Sequence, residues 1–191
     1  MASGQAFAVA TYSRVGASAV IVDTDLTNGT MWINNAMTCG TGTAVGGTSF
    51  AMTSADTLVI CGTQSLNLSA AAIDASALAF ETGWVGTVSG LKFGAGNKTL
   101  VNASGGTLTI ASLSLSAMTT GNTIAIQAGS VIFTGVTGGS LACPSGTAYT
   151  PNTAIAANTT CTVTVTPPPP AVSAPFFSTK EKPAVFSEEV K

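Results

Sequence analysis

The chain is a series of short alternating stretches, each closed by Gly, Ser, Asn or Asp. In TLTI (107–110), SLSLS (112–116) and TIAIQ (123–127) the apolar residues fall at every second position. That is the period of a strand with one face buried and the other lined by hydroxyls. Similar stretches occupy 6–12, 19–22, 30–34, 49–52, 57–61, 65–69, 77–81, 90–93, 99–102, 131–134 and 161–166. They are rich in Thr, Val and Ile and bounded by turn formers, so the pattern predicts an all-β fold. One segment, SAAAIDASALAF (69–80), carries enough alanine for one or two helical turns and equally suits a strand-to-strand crossover.

Two architectures fit this string of strands. A β-sandwich or jelly roll is the favoured expectation, because two packed sheets accommodate the strand number and the closing CTVTVT. The alternative is a short β-solenoid, suggested by the likeness of TLVICGTQSLNLS (57–69) to TLTIASLSLS (107–116) and by the many small residues at turns. The pattern stops at Pro167–Pro170, since four prolines cannot donate to a sheet and favour a stiff extended spacer. The expected organisation is therefore a β-rich domain over 1–166, with 138–166 as its closing hairpin, then a linker at 167–170 and an extended arm over 171–191. In the arm, Phe176, Phe177, Val185 and Phe186 are the candidate apolar anchors on a polar strip.

Charge changes the picture most. From Thr99 to Thr179 there is no Asp, Glu, Lys, Arg or His, and charged residues make up only 7% of the chain. The net charge is −2, and Arg14, Lys92 and Lys98 are the only basic residues before the arm. Nucleic-acid affinity rests on many phosphate contacts, so nucleic acid is not an expected partner. Mean hydropathy is positive, yet no window offers the run of apolar residues that a membrane-spanning helix needs. The start, MASGQAFAVATYSRVG, lacks the pattern of a secretory leader. Export by another route, prior removal of a leader, or release inside a particle is the expectation.

The four cysteines form two local pairs, Cys39 with Cys61 and Cys143 with Cys161. Two disulfides closing hairpin-sized loops would each contribute roughly 3 kcal/mol by the loop-entropy model and would point to an oxidising compartment. Buried thiols and a structural zinc site are the rival readings. Four thiolates suffice for zinc, but the close Cys-x-x-Cys spacing is missing. No histidine is present to activate a cysteine as a nucleophile.

Residues 139–167, GSLACPSGTAYTPNTAIAANTTCTVTVTP, resemble the closing strands of Ig-like repeats of prokaryotic secreted and surface proteins. There a Cys-bearing strand leads through a Gly-Thr…Ala-Asn loop into a final CTVTV strand. The resemblance covers under a sixth of the chain. It implies a β-sandwich module with surface or adhesive roles, a Cys143–Cys161 bridge and no catalytic residues.

Other sites are weaker. Asp23 and Asp25 form a D-x-D pair that can share a calcium ion with backbone oxygens, although DTDLTNG also reads as turn chemistry. Asp56, Asp74 and Glu81 are isolated in sequence, so a paired-carboxylate hydrolase site is not expected. GTGTAVGG and TGVTGG lack the lysine of a phosphate loop. Candidate glycosylation sequons stand at Asn28, Asn67, Asn97, Asn102 and Asn158. Thr-x-Thr pairs at 107/109, 162/164 and 164/166 suggest an ice-matching face but are not periodic along the chain. The sequence as a whole predicts a non-catalytic, cofactor-free subunit that assembles with copies of itself outside the cell or at its surface, with a virion as the alternative setting. An adhesin or virion display module is the second functional expectation.

Overall fold

A computed structural model describes residues 9–15, 18–22, 29–33, 38–40, 42–45, 49–50, 52–63, 65–144 and 146–167. Among them there is no helix. The chain opens with β1 (Val9–Val15), β2 (Ser18–Val22), β3 (Gly29–Ile33), β4 (Thr43–Val45) and β5 (Ser49–Phe50). The centre holds β6 (Thr57–Gly62), β7 (Ser65–Ile73), β8 (Ala77–Phe80), β9 (Val88–Phe93), β10 (Lys98–Asn102), β11 (Thr107–Ile110), β12 (Leu113–Ser114), β13 (Thr123–Ala128), β14 (Ser130–Phe133) and β15 (Val136–Thr137). It ends with β16 (Gly139–Ala142), β17 (Ala154–Ile155) and β18 (Thr159–Val165).

The central strands wind as a solenoid. Strands β6, β8, β10 and β13 pair in parallel in one sheet, and β7, β9, β11 and β14 pair in parallel in the other. The chain crosses from one sheet to the other within each coil and returns one rung further on. The sandwich or jelly-roll expectation is not confirmed; the solenoid alternative is the architecture found. Both bury one core between two sheets, but the parallel register of strands a full coil apart belongs to a solenoid. The helix-like stretch at 69–80 is the end of β7, a turn at Asp74–Ser76 and β8.

Register stacks like side chains into columns. Leu58, Leu78, Leu100 and Ile126 lie side by side on one sheet, and Leu66, Val88, Ile110 and Phe133 on the other. Leu68, Leu91, Leu113 and Val136 form a third column. All but the partly buried Val136 are buried members of one continuous core. The corners differ in length, from the single Gly129 to the eight residues between β12 and β13. Gly129, between β13 and β14, has a φ of 65°, and a Cβ there would collide with the backbone oxygen of Asn102.

Parallel stacks leave two open ends, and both are closed by antiparallel strands. At the first end β3 pairs with β6, while β2 pairs with β1, which itself lies parallel to β7. At the second end β18 covers β13, β17 covers β14, and β16 pairs with β18. The outermost strands β4, β5, β16 and β17 are two to four residues long, which limits edge-to-edge pairing. Residues 139–167 thus form the terminal cap, with Cys143 bridged to Cys161 across it. In the cap, the Tyr149 hydroxyl accepts from the Phe133 N–H and lies within donating distance of the Phe133 and Thr153 carbonyls.

Among the described residues Thr57, Lys98 and Asn102 are buried polar side chains, the last two on β10. On β10 the inward positions are Lys98, Leu100 and Asn102. Lys98 is only 2% exposed, and its ammonium donates to the Asp74 and Ala75 carbonyls at 2.8 and 2.9 Å. Burial lowers its pKa below the ordinary 10.5, and the nearby Asp74 carboxylate opposes the shift. Between the lowered folded value and 10.5 the unfolded chain holds more protons, so stability rises with pH through that window. Tyr149 works in the opposite sense. Burial raises its pKa above 10.0, against the bonds to the Phe133 and Thr153 backbone, so stability is lost as pH climbs from 10.0 through the folded value. The urea midpoint is therefore expected to climb on the alkaline side and then fall. Lys98→Met should abolish the climb and Tyr149→Phe the fall. A wild-type profile that is flat up to pH 10 would show that the buried ammonium carries no penalty.

Candidate functional site

The outer face of the sheet containing β7, β9, β11 and β14 is built by the same register that stacks the core. Positions between the buried residues point outward, and most carry hydroxyls. Ser65 lies beside Thr87, whose Oγ1 donates to the Ser65 Oγ at 3.0 Å. The Ile110–Val88 register brings Thr109 next to Thr87, and Thr107 pairs with Ser130 on the next coil. Ser114 lies between Lys92 and Thr137. Parallel strands are spaced about 4.8 Å apart, so these columns form a grid of hydroxyls on a rigid support. Several of the hydroxyls also bind the framework. Ser89 Oγ donates to the Leu66 carbonyl at 3.1 Å, and Thr134 Oγ1 to the Ala111 carbonyl at 2.7 Å.

A shallow groove of about 370 Å³ crosses this face, lined by Trp84, Thr87, Ser89, Thr107, Thr109 and Ala111 among others. Trp84 is 7% exposed and meets Phe80 edge to face at 4.7 Å between ring centroids. Its indole N–H is buried with no hydrogen-bond partner, an arrangement that costs stability. Val85, beside it, is 60% exposed. The lining offers hydroxyls, an indole and small apolar groups and holds no ionisable side chain. A second cavity of about 240 Å³ lies in the cap between Cys143, Pro144, Tyr149, Thr153, Ile155 and Thr159.

The few charges in the described solenoid largely serve it internally. The Asp56 carboxylate accepts from the Thr53 N–H and hydroxyl at 2.6 and 2.9 Å and closes a turn. Glu81 accepts from the Cys39 N–H at 3.1 Å. Asp74 lies near the buried Lys98. Lys92 is half-buried on the hydroxyl face.

The two disulfides have the pairing expected from the local spacing, with Cα separations of 6.1 Å for Cys39–Cys61 and 4.4 Å for Cys143–Cys161. Cys39–Cys61 lies on the outer face of the β6–β8–β10 sheet, against Val59, Ala79, Trp32 and Val101. Of the sequons, Asn97 and Asn158 are exposed and Asn67 is half-buried. Asn102 is 2% exposed, and its amide nitrogen donates to the Gly106 and Ser130 carbonyls, both at 2.8 Å. Its oxygen accepts from the Ser104 N–H and hydroxyl. A glycan on that nitrogen would displace the bond that ties one coil to the next. Asn67 and Ser69 repeat the same local turn, with the Asn67 oxygen accepting from the Ser69 N–H and hydroxyl. The N-x-S spelling at both places therefore has a conformational use. Asn28, the calcium candidates Asp23 and Asp25, and the arm anchors Phe176, Phe177, Val185 and Phe186 lie outside the described residues.

Read from sequence, Lys98 counts only as a scarce basic residue and Asn102 as a glycosylation sequon, and Trp84 is not mentioned, whereas all three are buried. For the first two a signal was present: in KTLVN the Lys and Asn share the phase of the buried Leu100. The geometry defines the class as an all-β solenoid with antiparallel caps, two disulfides and a hydroxyl-lined outer face that carries Lys92. No family model, curated protein or solved structure matches the chain. No helix of the described residues is long and apolar enough to cross a membrane.

Proposed function

We propose that this chain is a non-catalytic structural subunit that assembles with copies of itself into an extracellular filament, sheath or surface layer. The observation that carries the reading is the hydroxyl-lined outer face of a stacked solenoid, on which Lys92 is the charge among the described side chains. Packing such a face against another copy desolvates almost no charge, which is the cost that makes many protein contacts expensive. Low charge also removes the repulsion that keeps subunits apart. The short edge strands at both ends favour lateral contact through faces over end-to-end strand pairing. Two disulfides fit a secreted protein. With so few exposed charges, nucleic acid is not among the proposed partners.

An adhesin or virion display module is the second reading. It is favoured by the groove at Trp84 and by the resemblance of residues 139–167 to surface-protein repeats. Negative-stain microscopy of native material separates the two. Ordered polymers are expected for a structural subunit, and monodisperse particles at high protein concentration would favour the display module.

A further inference from the structure

The β6–β8 register sets Ile60 beside Phe80, so Cys61 and Glu81 are neighbours on adjacent rungs. Both precede or follow inward residues and share the outer face. Cys39 reaches over them from the segment between β3 and β4, and its N–H holds the Glu81 carboxylate at 3.1 Å. The two sulfurs and a carboxylate oxygen of Glu81 all lie within 4.8 Å of one another. Ligand atoms in a tetrahedral zinc centre stand roughly 3.5–3.8 Å apart, given bonds of about 2.3 Å to sulfur and 2.0–2.2 Å to oxygen. Two thiols cannot remain at bonding distance, and Cα atoms 6.1 Å apart leave the side chains room to separate. The floor beneath is apolar, with Val59 and Ala79 buried and Trp32 and Val101 partly so, and such a floor strengthens charge-assisted bonds above it.

We propose that reduction of Cys39–Cys61 converts this covalent staple into a divalent-metal site in which Cys39, Cys61 and Glu81 bind one zinc ion, with water in the fourth position. The close-spaced cysteine pairs of sequence-encoded zinc sites are absent here because the ligands come from one loop and two successive coils. With a trialkylphosphine as reductant, phosphorus gives two electrons to the S–S bond and takes the oxygen of one water, whose two protons go to the sulfurs. Zinc then displaces both protons, leaving two thiolates and the carboxylate on the metal. The loop held by Cys39 stays fastened to the sheet in either state. Among the described residues, Cys143–Cys161 is not part of any such three-ligand group, so it serves as an internal control.

The test uses the full chain reduced with phosphine under nitrogen and titrated with Co²⁺ as a spectroscopic probe, followed by competition with Zn²⁺. One equivalent of cobalt with a thiolate charge-transfer band is expected in the wild type and in the Cys143→Ser/Cys161→Ser variant. The band should be lost in Cys39→Ser/Cys61→Ser. Glu81→Gln should weaken binding at least about tenfold, since even outer-shell partners of metals carry that much. A second measurement needs no variant: Zn²⁺ should slow iodoacetamide alkylation of Cys39 and Cys61, mapped by peptide mass, and leave Cys143 and Cys161 unaffected. Absence of a stoichiometric cobalt–thiolate band, equal alkylation with and without zinc, or undiminished affinity in Glu81→Gln would each overturn the proposal.

Discussion

Replacing Leu100 by alanine is expected to lower the stability of the fold by about 3–5 kcal/mol. Leu100 is fully buried and stands in the column between Leu78 and Ile126. Its neighbours are held at fixed rung spacing by the parallel ladders on both sides, so the cavity cannot close by a local shift. The loss is a large share of the roughly 5–15 kcal/mol that holds a typical domain together. The urea midpoint should fall with little change in slope, as a pure stability loss does. Thr109→Ala, on the exposed hydroxyl face of β11, is the matched control and should stay within about 0.5 kcal/mol of wild type. Equal losses in the two variants would mean that the buried columns are not where the solenoid's stability resides.

Deleting residues 167–191 is expected to abolish or strongly weaken polymer formation while leaving a folded, soluble solenoid. Among the described residues the strands end at Val165, and the strands that pair at both ends of the stack all precede the arm in sequence. The arm carries Phe176, Phe177 and Phe186 together with Val185, and burying three Phe side chains on a neighbour is worth about 1.5–3 kcal/mol each. Ordering the backbone costs about 1–2 kcal/mol per residue, so a single docking event gains little. In the proposed polymer, repetition would make the contact effective, because each added subunit would bind at more than one place. Sedimentation and electron microscopy of the truncated chain would check this. A truncated chain that polymerises as well as the full one would place the subunit contacts on the sparsely charged body and reduce the arm to a tether.

The reading of the chain as strands came from local chemistry, and local chemistry was enough for it. Alternation in TLTI and TIAIQ set which side chains face inward, and the structure places Leu108, Ile110, Ile124 and Ile126 in the core accordingly. The cysteine pairing was legible for a similar reason, since each pair closes a short loop. The likeness that suggested a solenoid was real in composition but not in register. TLVI of β6 lies in one sheet and TLTI of β11 in the other, while the partners of β6 are β3 and β8.

What the sequence determined by itself is the class of local structure: strands, turns, two covalent staples and a surface almost free of charge. Only the tertiary structure decided that the strands wind in coils. The coils run 20 residues from Leu58 to Leu78, 22 from Leu78 to Leu100 and 26 from Leu100 to Ile126, and corners of unequal length conceal the repeat. Stacking requires only that inward side chains fill the same layer, so Leu, Val, Ile and Phe substitute for one another within a column and leave no repeated word. The juxtaposition of Cys39, Cys61 and Glu81 has the same origin. Residues a coil apart become neighbours through inter-strand hydrogen bonds, and no property of the intervening residues announces the contact.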